Sequence, residues 1–231
     1  MEIGFDVISD LNLTSEESFN WEGKATSLYC IVAGNVSEDL RTIHQTLAHL
    51  GRFYQGVFYI SGSLEEKNTE SDKRNREIAK VCRSIKNVAY LHNHVVIVDG
   101  VAIVGVNGWF GNYESVDLIS DIRTSSMNYE DVTYLQSTIE KLQLHMDVKK
   151  IIIASHCVPG EALYFGENPS EIEDLVALQH ALISDTESKV CSWVFGSYSK
   201  VVDTNIDGIN YVNNSYFKRS PYWAKRIVVK L

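Results

Sequence analysis

Short apolar runs that stop at small or polar residues alternate along this chain with stretches whose apolar positions recur every three or four residues. EIGFDVIS (2–9), SLYCIVAG (27–34) and GVFYISG (56–62) read as strands. Between the last two, SEDLRTIHQTLAHL (37–50) places Leu40, Ile43, Leu47 and Leu50 on one helical face, with Ser37 as the expected N-cap. SDKRNREIAKVCRSI (71–85) repeats that pattern through Ile78, Val81, Cys82 and Ile85. NVAYL, HVVIVDG and VAIVGVNGW follow as three successive strands, with a tight turn at Asp99-Gly100. EDVTYLQSTIEKLQLHM (130–146) is a helix with a stripe of Val132, Leu135, Ile139, Leu142 and Met146. KKIIIASH (149–156) has the unbroken apolar character of a central, doubly covered strand. A further helix over 170–184 precedes the strands VCSWVFG (190–196), GINYVNNS (208–215) and KRIVVKL (225–231). The expectation is an α/β (α+β) chain: one domain over residues 1–231, built as a two-layer β-sandwich flanked by helices.

Composition narrows the setting. No apolar run approaches the roughly 18 residues that cross a bilayer, and no basic-then-apolar leader is expected before the first strand. The four cysteines, Cys30, Cys82, Cys157 and Cys191, form no CxxC pair and sit in apolar surroundings. That usage suits a reducing compartment, and a cytoplasmic protein is expected. A net charge of −9 argues against non-specific nucleic-acid binding. The tail YFKRSPYWAKRIVVKL departs from that balance. Lys218, Arg219, Lys225, Arg226 and Lys230 read either as solvated residues of a last strand or as a docking patch for an acidic partner. Exposure of Tyr216, Phe217, Tyr222 and Trp223 would favour docking.

The candidate chemistry lies just after the strands. The first run ends at Asp10, with Asn12 two places on. The second ends Gly34-Asn35, the third Gly62-Ser63-Leu64-Glu65, a fourth Ser155-His156-Cys157, and a fifth Gly196-Ser197-Tyr198-Ser199. In open α/β sheets reacting groups collect at the carboxyl ends of strands. Glu65 and Glu66 are read as a solvated helix entry. A nuclease reading of His92-Asn93-His94 is rejected for want of a supporting metal constellation. A Cys157–His156 dyad is rejected because neighbours in sequence cannot readily adopt nucleophile–base geometry.

These five blocks, in this order, resemble the calcineurin-like metallophosphoesterases. That family presents D-x-H, G-D, G-N-H-[DE], a lone His and G-H-x-H at strand ends, together holding two metal ions. NVAYLHNHVVIVDGVAIVGVNGWF resembles the family's central hairpin, and GINYVNNSYF its closing strand and turn, so the likeness spans nearly the whole chain. The resemblance makes Asp10 the first-block aspartate and His156 the fourth-block histidine. It also marks the departures. Asn12 stands for a histidine ligand and Asn35 for the bridging aspartate. Ser63 stands for an asparagine ligand, and Leu64 for the histidine that assists the leaving group. Ser197 and Ser199 stand for the last two histidines.

Two adjacent dications need anionic ligands to offset their repulsion, and the metals suited to this chemistry favour imidazole. With a neutral Asn35 and three imidazoles gone, no resident metal pair is expected. If one ion is held, Asp10, Asn12, Asn35 and His156 would hold it, and an oxygen-rich set of that kind suits Mg²⁺ or Mn²⁺. The expected function is a binding or regulatory module that has lost dinuclear-metal catalysis, its partner another protein or a phosphorylated ligand, with no membrane association. The alternative is a phosphoesterase, phosphodiesterase or nuclease working with a single weakly bound ion, in which His156 would act in catalysis.

Overall fold

The structure is a computed structural model and describes residues 1–67, 71–108, 118–163, 176–217 and 221–231. The apolar runs become strands β1 (Glu2–Ile8), β2 (Tyr29–Ala33), β3 (Gly56–Ile60), β4 (Val88–Tyr90), β5 (His94–Val98), β6 (Val101–Val106), β7 (Lys150–Ser155), β8 (Val190–Phe195), β9 (Val202–Ile206), β10 (Ile209–Asn213) and β11 (Lys225–Lys230). The helices are α1 (Leu40–Leu50), α2 (Ser63–Glu66), α3 (Ser71–Arg83), α4 (Leu118–Leu144) and α5 (Val176–Gln179), the last running into a 3₁₀ turn over His180–Ser184. Among the described residues no helix is long and apolar enough to cross a membrane.

Two mixed sheets result. One has the order β11-β1-β2-β3-β4, and the other β5-β6-β7-β8-β10-β9. In the first, β1 to β4 run parallel, with β11 antiparallel beside β1. In the second, β6, β7, β8 and β10 run parallel, with β5 and β9 antiparallel at its edges. Phe5, Val7, Ile31 and Phe58 from one sheet meet Ile103, Ile152, Val194 and Val212 from the other in a shared apolar layer. The opposite face of the first sheet packs Val32, Val57 and Tyr59 against Ile43 and Leu47 of α1 and Ile78 of α3. The opposite face of the second packs Val104, Ile153 and Trp193 against Leu135, Ile139 and Leu142 of α4. The architecture is therefore the expected helix-flanked sandwich. Strands covered on both faces read as unbroken apolar runs, which is why they stood out in the sequence.

Several boundaries differ from expectation. Asp39, not Ser37, caps α1: its carboxylate accepts from Thr42 N–H at 2.8 Å, while Ser37 Oγ donates to Leu13 O. Helix α4 is described from Leu118 and ends at Leu144, so Met146 lies beyond it and is exposed. The three strands expected in succession divide between the sheets, since β4 joins β3 whereas β5 joins β6. At that crossing a Cβ on Gly105 would lie 2.2 Å from Leu91 Cβ, so only glycine fits there. The expected helix over 170–184 is described only from Val176, and Trp109 of the hairpin segment lies outside the described residues.

Candidate functional site

The ends of β1, β2, β3, β7 and β8 meet on one rim. Asp10 N–H donates to Gly34 O at 3.0 Å and Asn12 N–H to Asn35 O at 2.8 Å, which zips the first two loops together. Gly196 N–H donates to His156 O at 3.0 Å, joining the last two. Asp10, Asn12, Asn35 and Ser197 all have positive φ, from 48° to 56°. Asp and Asn tolerate this region better than most residues, and such backbone clusters at functional sites. The five blocks singled out in the sequence are thus spatial neighbours.

Asn35 sets the character of the site. Its Oδ1 accepts from Leu64 N–H at 2.8 Å, which fixes the amide orientation, because a backbone N–H can only donate. Its Nδ2 is left facing Asp10 Oδ1 at 3.3 Å. Ser197 N–H donates to the same Oδ1 at 3.1 Å. Asn12 Nδ2 donates to Asp10 O at 2.9 Å. Asp10 Oδ2 has no hydrogen-bond partner among the described residues. Burial raises the Asp10 pKa above the usual carboxylate value, opposed mainly by the nearby His156.

His156 lies in a cage of glycines. A Cβ would fall 2.3 Å from its Nδ1 at Gly34, 2.7 Å from its Cε1 at Gly62 and 2.9 Å from its Nδ1 at Gly196. Nδ1 lies 3.1 Å from Ala33 O, a carbonyl that can only accept, so Nδ1 carries a proton. Nε2, like Asp10 Oδ2, is buried without a partner.

Glu65 corrects the expectation of a solvated helix entry. It is fully buried and accepts from Asn35 N–H (3.1 Å), Val36 N–H (2.5 Å), Gly62 N–H (2.8 Å) and Tyr59 Oη (2.8 Å). One carboxylate therefore clamps the β2 and β3 loops together. Glu66 faces inward as well and accepts from Asn107 Nδ2 at 2.9 Å. Burial pushes its pKa up to about 7, and that of Asp131, which accepts from Gly108 N–H, to about 6. The sequence does contain a signal for Glu65: an acid three residues after the N-cap Gly62, the capping-box spacing.

The other named residues take lesser places. Ser63 and Ser199 are exposed, and Leu64 enters the site through its backbone. Cys157 Sγ donates to Gly108 O at 3.0 Å, and burial holds its thiol well above the ordinary value, so it is no nucleophile. His92 stacks on Tyr90 and meets Asn75 Nδ2 at 3.3 Å, whereas His94 is exposed. In the tail, Tyr222 is buried rather than exposed, with its hydroxyl on Asn214 O, while Phe217 and Trp223 are exposed. Lys225 pairs with Asp203, Lys230 lies 3.9 Å from Glu2, and Lys218 and Arg219 lie outside the described residues.

Asp10, Asn12, Asn35, Ser197, Tyr198, Ser199, Ser215 and Phe217 surround a hollow of about 320 Å³. Among the described residues no group of three or more His, Cys, Asp and Glu side chains is placed to hold a metal ion. The donor set does not fit a metal pair. The amide at the bridging position presents N–H to the carboxylate, and its oxygen is engaged elsewhere.

No family model matches the chain, and no curated protein matches it. Solved structures do. The phosphopantetheinyl hydrolase PptH from Mycobacterium tuberculosis superposes with a TM-score of 0.62 at 16% identity, over 96% of this chain and 95% of that one. A Staphylococcus aureus protein assigned as a 5'-nucleotidase, in complex with alpha-ketoglutarate, gives 0.55 at 13% identity, over 100% of this chain and 51% of that one. GAP50, the anchor in the inner membrane complex of Plasmodium, gives 0.51 at 8% identity, over 93% of this chain and 71% of that one. The chain has a metallophosphoesterase-like fold, as the strand-end blocks implied.

Proposed function

We propose that this protein keeps the metallophosphoesterase framework without dinuclear-metal catalysis and serves as a binding or regulatory module in a reducing compartment such as the cytoplasm. The carrying observation is Asn35. Its oxygen is bonded to Leu64 N–H and its nitrogen faces Asp10. Where a metal bridge needs an anionic acceptor, this site has a neutral donor. Asn35 Nδ2 and Ser197 N–H supply on Asp10 Oδ1 the positive ends of dipoles that a cation would otherwise supply. Without a pair of ions no strongly acidified bridging water forms, and Leu64 cannot protonate a leaving alkoxide. The likeness to GAP50, an anchor by description, supports the reading that this framework can serve attachment.

The second reading, one weakly held Mg²⁺ or Mn²⁺, has its own support in two buried polar atoms without partners, Asp10 Oδ2 and His156 Nε2. They are few for a dedicated site, since Mg²⁺ demands near-octahedral coordination and gives up water reluctantly. The deciding experiment measures Mn, Fe, Zn and Mg in protein from metal-supplemented cells, together with turnover of a phosphodiester reporter in added Mn²⁺. Substoichiometric metal and no turnover are expected. Stoichiometric metal, with turnover abolished by Asp10→Ala and by His156→Ala, would establish the second reading.

A further inference from the structure

A second hollow, of about 540 Å³, lies between α3 and β4 and shares no lining residue with the one around Asp10. Its lining is mostly apolar: Ala79 and Cys82 come from α3, and Val88, Ala89 and Tyr90 from β4. Arg76 and Arg83 line it from α3, and no described lining residue is acidic. Both arginines are exposed, and neither has an ion-pair partner among the described residues. Residues 71–87, which include α3, carry six Lys and Arg against two Asp and Glu, in a chain whose net charge is −9.

β4 is the end strand of its sheet. Asn87 C=O and Leu91 N–H bond to Val57 and Tyr59 of β3, at 2.9 and 2.8 Å. Alternation therefore turns the backbone groups of Val88 and Tyr90 to the outer side. Val88 N–H donates to Ile85 O at 3.3 Å, which leaves Val88 C=O and the N–H and C=O of Tyr90 without a backbone partner among the described residues. His94 of β5, the end strand of the other sheet, also lines the hollow. A hollow that reaches from α3, outside the first sheet, to the second sheet passes the outer edge of β4. That strand, VAY, carries neither charge nor proline, the usual guards of an exposed edge.

We infer that the outer edge of β4 takes up an extended segment of a partner protein as an added strand, in which acidic residues alternate with apolar ones. One face of that strand meets Arg76 and Arg83 on α3. The other meets the layer between the sheets, where Ala89 and Val96 are only partly buried. Side chains of a strand alternate between its two faces, so the two surroundings select acid and apolar in turn. The main chain of the segment supplies the hydrogen bonds that the edge lacks. A nucleic acid brings the charge but not that ladder. The inference is independent of the metal content of the rim.

Fluorescence anisotropy on the full chain tests it with a labelled octapeptide of alternating Glu and Val. This peptide is expected to bind, and its Lys–Val counterpart to bind more weakly by about tenfold or more. Two further Glu–Val peptides carry N-methyl groups, one on its valines and the other on its glutamates. One of them is expected to lose about tenfold and the other to bind like the parent, because successive N–H groups point to opposite edges of a strand. Reversing both exposed arginines, Arg76→Glu with Arg83→Glu, should weaken the acidic peptide about tenfold and strengthen the Lys–Val peptide. No binding of the acidic peptide, equal binding of the acidic and basic peptides, or equal binding of the two methylated peptides overturns the inference. A single-stranded oligonucleotide that displaces the acidic peptide, and whose own binding the reversal abolishes, assigns the groove to nucleic acid and overturns it as well. The methylated pair is measured on the unaltered chain, so it decides the matter should the double variant fail to fold.

Discussion

Replacing Glu65 by glutamine keeps the side chain's shape and removes one acceptor oxygen. In the native site Oε1 accepts from Val36 N–H and Tyr59 Oη, and Oε2 from Asn35 N–H and Gly62 N–H. Whichever way the amide turns, its NH₂ faces two donors, at least one of them a backbone N–H that cannot reverse. Each buried group left unsatisfied costs about 1–3 kcal/mol. The loss of charge weakens the bonds that survive. Two such groups, with some relief as the Tyr59 hydroxyl rotates or the loops shift, give an expected destabilisation of about 2–4 kcal/mol. Glu65→Ala strands all four donors but lets water enter, for about 3–5 kcal/mol. Urea denaturation followed by tryptophan fluorescence suits the measurement, because Trp21 and Trp193 are fully buried. Glutamine variant stability within about 0.5 kcal/mol of the parent would refute the claim that this carboxylate ties the β2 and β3 loops.

Asn35→Asp brings a second carboxylate against Asp10 and removes an N–H···O contact. A loss of about 1–3 kcal/mol at neutral pH in chelator is expected, with partial recovery of melting temperature in Mn²⁺; unchanged melting in chelator would contradict the orientation assigned to the amide. Glu66 has its folded pKa raised to about 7 from 4.5, so the folded state holds a proton that the unfolded state has released. Its contribution to stability is present below pH 4.5 and lost as pH rises to about 7. Glu66→Gln should flatten that fall by about 2 kcal/mol, allowing for solvent at its partly exposed edge, as read from denaturation at several pH values. Gly62→Ala places a Cβ 2.5 Å from Asn35 Oδ1 and 2.8 Å from its backbone nitrogen. It should cost about 1–3 kcal/mol in the same denaturation assay; a neutral result would show that the cage around His156 gives way.

Strand ends were legible because their punctuation is local. Glycines and turn-forming Asn, Asp and Ser follow apolar runs, and the sandwich needs little beyond that alternation. Glu65 was misread because its partners are Tyr59 of β3, Gly62 and the loop at Asn35 and Val36, while its immediate neighbours, Glu66 and Lys67, look solvated. Strand β9 escaped notice because it alternates buried and exposed residues at a sheet edge. The Asp207-Gly208 pair, with φ of 52° and 86°, was the available hairpin signal. The N-cap of α1 turned on a choice between two oxygens two residues apart, settled by Ser37 bonding to Leu13 across the loops. The direction of the Asn35 amide, on which the chemistry depends, was beyond any sequence pattern: it follows from the position of Leu64 N–H.

The most direct measurement is equilibrium Mn²⁺ binding to chelator-treated protein, followed by electron paramagnetic resonance of the free and bound ion. The account predicts no spin-coupled pair and at most one weakly held ion per chain. Two ions bound tightly, with the exchange-coupled spectrum of a bridged centre, would contradict it.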